Sequence, residues 1–489
     1  MRRIRYSQRA WRVDQGRDAR AMMTRKRFTN LRIPDGGNST LPCEVVVVDG
    51  RILDVTPPGS APAESDEQAI DLGGRLVLPG VIDGHVHFND PGFTQRENFE
   101  TGTRAAAAGG VSCIVDMPCT SLPPVTSRAN LLTKLAVIEP KAHVDFMLWG
   151  GVSENALEDP DWRQNLEDIA QEGVGSIKVY MLSGMDTFRD LNRSQLEMVL
   201  RETARLAIPV GVHAEDRDMV YATTARIREE CHGGPLDYAA SRPPEAEISA
   251  VRTMCELAME TGARVHIVHL SSGKALDLVS EFRRNGAAVS AETCPQYLAF
   301  TARDLEAQGS LLKTAPVIKS AADRDRLWEG LAAGELAYVA TDHAAGVWPD
   351  EKNTGSIWTD YGGVPLVELS LPYLYSEGVR TGRITLERLT EITASEPARF
   401  FGVEQHKGRI APGFDADLAV LNEGETWTVR ADELHNLNRY SPFEGHSFTG
   451  RVQATYVRGE PVYIRGDDGL EMFGAAGFGR RVRRETPVS

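Results

Sequence analysis

A chain of 489 residues exceeds one ordinary hydrophobic core, so a large domain with a smaller companion is expected. With 42% hydrophobic and 25% charged residues, and without an apolar run of the ~18 residues a membrane span needs, the composition is globular and disfavours a membrane partner. A formal net charge of −15 disfavours nucleic acid, whose phosphates need a basic face.

The first 27 residues carry ten Lys/Arg against Asp14 and Asp18 and lack a secretory apolar core, which reads as a basic flexible extension. From Phe28 to Pro79 the signals are short strands and turns, with CEVVVVDGRILDV alternating around an Asp49-Gly50 hairpin turn. The same texture returns in ADLAVLNE, TWTVRADEL and GRVQATYVRGEPVYIRG. A small β-sandwich built from both termini, 28–79 plus 404–470, is therefore expected, with 471–489 as a C-terminal tail. Between them, residues 80–403 alternate eight strand-like runs with amphipathic runs such as SQLEMVLRETARLA. That alternation predicts an α/β fold, a (β/α)8 barrel of the TIM type rather than an open doubly wound sheet. No G-x-G-x-x-G follows the first strand, which argues against a dinucleotide fold. Six cysteines (Cys43, Cys113, Cys119, Cys231, Cys255, Cys294) lack CxxC spacing and read as reduced thiols of a cytoplasmic protein.

The polar residues that end these apolar runs carry the functional signal. LPGVIDGHVHFN closes on His85 and His87, which share one strand face because side chains alternate with a period of two. Further strands end at Lys178, His213, His269 and Asp342. Each group alone has an ordinary structural explanation: a satisfied core histidine, a snorkelling lysine, a helix N-cap. Six at barrel strand ends converge on one cavity, where such barrels place their chemistry.

Lys178 is the odd member, since an ammonium cannot ligate a metal. Carbamylation by carbon dioxide would make it an anionic bridge. Four histidines, that bridge and Asp342 suit two divalent metal ions, zinc foremost, with manganese, cobalt or iron as alternatives. Two such ions can share a water and lower its pKa towards ~7. Asp342 is the expected catalytic residue, taking the water's proton and returning it to the leaving nitrogen.

At these residues the chain resembles the amidohydrolase superfamily and, within it, the cyclic amidases: allantoinases, hydantoinases (dihydropyrimidinases) and dihydroorotases. The likeness runs from about Phe28 onward and is carried by GHVHFNDPG, ETGTRAAAAGG, HAED, SRPPEAE, HLSS, ETCPQYL, ATDHA and KGRIAPGFDADLAVL. It implies that His85, His87 and Asp342 hold the more buried metal, that His213 and His269 hold the more exposed one, and that Lys178 is the carbamylated bridge. It also implies metal-dependent opening of a cyclic amide or ureide ring, and a homo-oligomer, dimer or tetramer.

Substrate marks are mixed. Dihydroorotases usually place Arg and Asn where Asn89 and Cys119 stand here, so a substrate carboxylate would lose its clamp, at a cost of roughly 2–5 kcal/mol if it stayed buried and unpaired. Dihydroorotate is thus disfavoured unless another basic residue substitutes. Ser183 stands at a usual hydantoinase Tyr, Ala315 at a usual Ser or Asn, and Leu366 at a frequent Gly of the GGVPLVE segment that holds Gly363. Asn89, Cys119, Ser183, Ala315 and Gly363 are the expected substrate contacts, and Phe93, Cys119, Tyr180, Met185 and Trp348 an expected apolar pocket. The competing class is a metal-free interaction protein of the same fold, against which all six ligand positions are filled.

Overall fold

The computed structural model describes residues 25–485 apart from 61–63, 65–66 and 231–232, so residues 1–24 of the expected basic extension lie outside the described residues. Strand β1 (Arg25–Pro34) already begins inside that stretch and pairs antiparallel with β2 (Thr40–Val48). β2 turns at Asp49 (φ 50°) and Gly50 (φ 83°) into β3 (Arg51–Thr56). Both turn residues are left-handed, as a two-residue hairpin with a primed turn requires. β4 (Gln68–Pro79) runs parallel to β1 and, on its other edge, antiparallel to β14 (Leu418–Thr428). β15 (Ser447–Val457), β16 (Glu460–Arg465) and β17 (Glu471–Phe473) extend the sheet to eight strands drawn from both termini. Phe28, Val45, Val47, Leu72, Val77, Leu418 and Tyr456 form its core.

A single residue, Gly80, joins β4 to the first barrel strand, β5 (Val81–Val86). A Cβ there would lie 2.3 Å from Ser112 Oγ, so the close passage of sandwich and barrel needs glycine. β6 (Val111–Asp116), β7 (Asp145–Leu148) with its short continuation β8 (Gly150–Gly151), β9 (Ile177–Tyr180), β10 (Val210–His213), β11 (Val265–Ile267), β12 (Val289–Thr293) and β13 (Tyr338–Val339) follow in parallel order. The circle closes where Val86 bridges His343 and the His87 amide donates to His343 O at 2.8 Å. Asp83 tightens that seam by accepting from the Thr341 amide and hydroxyl at 3.0 and 2.6 Å.

Helix Glu396–Phe401 packs into the barrel interior, where Phe401 meets Trp149 and Tyr338. A Cβ on Gly84 would come within 2.8 Å of Phe401 and 2.9 Å of Tyr338, so the glycine under the His85/His87 pair lets this aromatic packing support the site from below. The chain beyond 470, expected as a tail, packs on the barrel: the Phe146 amide donates to Arg480 O and the Arg484 amide to Gly173 O, both at 3.0 Å. Among the described residues Cys43, Cys113, Cys119, Cys255 and Cys294 are buried free thiols, and no helix is long and apolar enough to cross a membrane.

Candidate active site

The six side chains singled out at the strand ends converge. Asp342 Oδ1 lies 3.2 Å from both His85 Nε2 and His87 Nε2, and these three residues offer ligand atoms within 4.8 Å of one another. Beside them His213 Nδ1 faces His269 Nε2 at 3.1 Å, while the His85 and His269 rings lie 5.4 Å apart. Lys178 is fully buried, with Nζ 4.7 Å from the Tyr180 ring centroid. Asn89, His269 and Asp342 adopt left-handed backbone (φ 59°, 41° and 49°), so the chain bends sharply where strands hand over to loops. Non-glycine residues held there cost about 1–3 kcal/mol each and cluster at functional sites.

The donor set fits divalent cations. His85 Nε2, His269 Nδ1 and Lys178 Nζ are buried without a hydrogen-bond partner among the described residues. Buried polar atoms are ordinarily paired, so orphaned groups gathered at one place mark a site built to receive something. The far nitrogens are already engaged: Glu292 Oε1 holds His85 Nδ1 at 2.6 Å, and Glu215 Oε2 holds His213 Nε2 at 2.8 Å. A carboxylate behind a histidine fixes its ring and frees the other nitrogen for a metal.

The charge states agree. Burial lowers His85, His213 and His269 below the usual imidazole range, keeping them as neutral ligands. Burial brings Lys178 down to about 8. Burial would raise Asp342, but His85 and His87 outweigh it and hold the carboxyl below its ordinary value. His87 is the exception: burial would lower it, but Cys119 and Asp342 lift it to about 10. A dication in the cluster would reverse that preference by repulsion.

Above this floor opens a cavity of about 550 Å³. Of the expected substrate contacts, Ser183 and Ala315 line it, as do Tyr180 and Met185 of the expected apolar pocket. Ser183 also pins its own loop, its hydroxyl donating to Phe188 O at 2.7 Å. Asn89, Cys119, Gly363, Phe93 and Trp348 are not among the lining residues. Asn89 is fully buried with both amide atoms unpartnered, and Cys119 Sγ lies 3.1 Å from Tyr180 Oη and 3.8 Å from His87 Nδ1. Gly363 has φ +147°, and a Cβ there would meet Ala344 O at 2.4 Å, so its part is to let two loops touch.

Sequence reasoning passed over Glu215, Glu292, Arg242 and Lys313. Glu292 also reaches His266 Nε2 at 3.2 Å, and Arg242 grips Glu215 at 2.5 Å. Glu292 is held well below the usual carboxylate range: burial opposes this, but His85 and His266 prevail. The available signal was a charged residue inside a motif run, Glu292 in ETCPQYL, Glu215 in HAED and Arg242 in SRPPEAE; Lys313 lies in none of them.

A closed parallel barrel with imidazole, carboxylate and lysine groups converging at its strand ends defines a metal-dependent barrel hydrolase. The chain belongs to the amidohydrolase family, which it matches over residues 76–462, and that family is typically dependent on a binuclear metal centre. It is 39% identical over 422 residues to an allantoinase of Deinococcus radiodurans, covering 86% of this chain and 91% of the relative. It is 39% identical over 447 residues to an allantoinase of Rubrobacter xylanophilus, covering 91% and 95%. Among solved structures, an L-hydantoinase (dihydropyrimidinase) from Arthrobacter aurescens superposes with a TM-score of 0.88 at 31% identity, covering 95% of this chain and all of that one.

Proposed function

We propose that this chain is a cyclic amidase of the allantoinase or hydantoinase type, which hydrolyses a ring C–N bond of a cyclic ureide or imide. The observation that carries the reading is the set of orphaned, buried donors beneath a cavity large enough for such a ring. His85, His87 and Asp342 would hold one divalent cation and His213 and His269 a second, with zinc foremost among the candidates. Lys178 would bridge them as a carbamate, because among the described residues its buried Nζ has no hydrogen-bond partner and a carbamate supplies anionic oxygens. Two bound cations would polarise the ring carbonyl and acidify the attacking water.

The rest falls to the chain. Asp342, held ionised by the neighbouring histidines, accepts the proton of the attacking water and delivers it to the leaving ring nitrogen. Glu292 and Glu215 hold His85 and His213 in orientation. Tyr180, stacked on the His213 ring at 5.2 Å, covers the floor from the side. A dimer or tetramer in the reducing cytoplasm is the proposed setting. A turnover panel at neutral pH with allantoin, hydantoin, dihydrouracil, dihydroorotate and simple cyclic imides tests the reading, alongside metal analysis. Ring opening of at least one neutral ureide with close to two metals per chain is expected; inertness towards all of them in metal-loaded protein would refute it.

A further inference from the structure

Buried lysines in this protein follow a rule. Lys26 pairs with Glu460 at 2.5 Å, Lys134 with Asp116, Lys319 with Glu247 at 2.7 Å, and Lys407 with Asp145 at 2.9 Å. A buried ammonium without a carboxylate keeps its desolvation cost uncompensated, so the pairing is what physics requires. Outside the histidine floor, two lysines break the rule among the described residues. Lys352 is fully buried and, among the described residues, donates only to backbone carbonyls, Gly363 O at 2.8 Å, Tyr361 O at 3.1 Å and Lys313 O at 3.5 Å, where it clasps loop segments together. Lys313 is also buried, but it is one of the residues that line the cavity.

Among the described residues Lys313 Nζ makes one hydrogen bond, to the main-chain oxygen of Asp360, although an ammonium carries three donors. The carboxylate of Asp360 is engaged elsewhere, by the Ser310 hydroxyl and by the Thr354 amide at 2.7 Å. A second cation stands close by. Arg242 also lines the cavity, and both cations lie near the Tyr238 ring, Lys313 Nζ at 4.8 Å and Arg242 Cζ at 5.7 Å from its centroid. Glu215 answers the charge of Arg242, whereas Lys313 forms no ion pair among the described residues. Burial and Arg242 together lower Lys313 to about 8 against the opposing pull of Asp360, and an anion beside it would restore its full charge.

We propose that Lys313, with Arg242 near the same Tyr238 ring, is a subsite for an acidic substituent. On this assignment, which rests on the cyclic-amidase reading above, the preferred substrates are cyclic ureides or imides bearing a carboxylate side chain. The missing cation at Asn89 is then supplied from another loop, so the carboxylate sits in the cavity wall instead of beside the first barrel strand.

The test compares a hydantoin carrying a carboxymethyl group with its carboxamide counterpart, by turnover and by calorimetric binding, in metal-loaded enzyme. The acid is expected to exceed the amide in kcat/KM by roughly ten- to a hundredfold, the scale of a desolvated charge pair. That ratio should collapse towards one in Lys313→Met and recover in Lys313→Arg. Equal turnover of acid and amide by the unaltered enzyme would overturn the subsite and leave the cyclic-amidase reading standing. Tighter binding of the acid without turnover of either would sustain the subsite and sink that reading. Absence of both binding and turnover would sink both, and since these comparisons use the unaltered chain, none depends on a variant that folds.

Discussion

The two ends of the barrel each gather three residues whose ligand atoms lie within 4.8 Å of one another, His85, His87 and Asp342 at the mouth and Asp145, Asp415 and Asp417 at the base. Proximity of donors does not distinguish them; what stands among the donors does. At the base, Lys407 Nζ sits 2.9, 3.1 and 2.7 Å from the three carboxylates, and Arg458 takes Asp145 from the other side. That cluster is saturated and ties the sandwich, through Asp417 and Arg458, to the start of β7. At the mouth, Lys178 forms no such ion pair, and among the described residues His85 Nε2, His269 Nδ1 and Lys178 Nζ have no hydrogen-bond partner. A satisfied cluster stabilises, and an unsatisfied one is available for chemistry.

The contrast can be broken at either end. Lys178→Ala at the mouth should lower turnover by about three orders of magnitude or more and reduce metal content towards one or fewer per chain, with little change in thermal midpoint. Full two-metal activity in that variant would remove the bridge from the mechanism. Lys407→Met at the base should do the opposite: removing the ammonium shared by three clustered carboxylates costs about 3–5 kcal/mol, read as a lower denaturation midpoint, while folded protein keeps its metals and turnover. An unchanged midpoint would mean that the base cluster is not the staple described.

Smaller effects sharpen the comparison. Glu292→Gln preserves shape but weakens the grip on His85 Nδ1, and should lower metal affinity about 10- to 100-fold in a chelator competition. The smallest effect concerns a third, saturated cluster on the sandwich, where His435 lies 2.9 Å from both Glu368 and Glu471. Burial would lower His435, but the two glutamates raise it to about 9. Because the folded value exceeds the unfolded value of ~6.5, this contribution is complete below about pH 6.5 and lost as pH rises through about 9. Denaturant titrations at pH 6 and pH 10 should differ by about 1–3 kcal/mol from this source, and His435→Gln should flatten that difference.

The floor of the site was legible because each of its groups interrupts an apolar strand. His85, Lys178 and His213 lie within strands, and His269 and Asp342 follow within three residues of strand ends, so periodicity finds them. The wall was less legible. Cys119 and Asn89, chosen by register with relatives' motifs, are buried outside the lining, whereas Arg242 and Lys313 reach the cavity from connections that carry no periodic signal.

The amino-acid sequence by itself determined the barrel, the sandwich strands drawn from both termini and the imidazole, lysine and carboxylate donors, because alternation and strand-end polarity are local properties of the chain. Only the tertiary structure decided which charges are answered. Whether Asp417 meets Lys407, His85 meets Glu292, or Lys313 meets the main chain of Asp360 depends on contacts between residues 10, 207 and 47 positions apart. No local pattern encodes such pairings; they are set when the strands close and desolvation makes each unanswered charge costly.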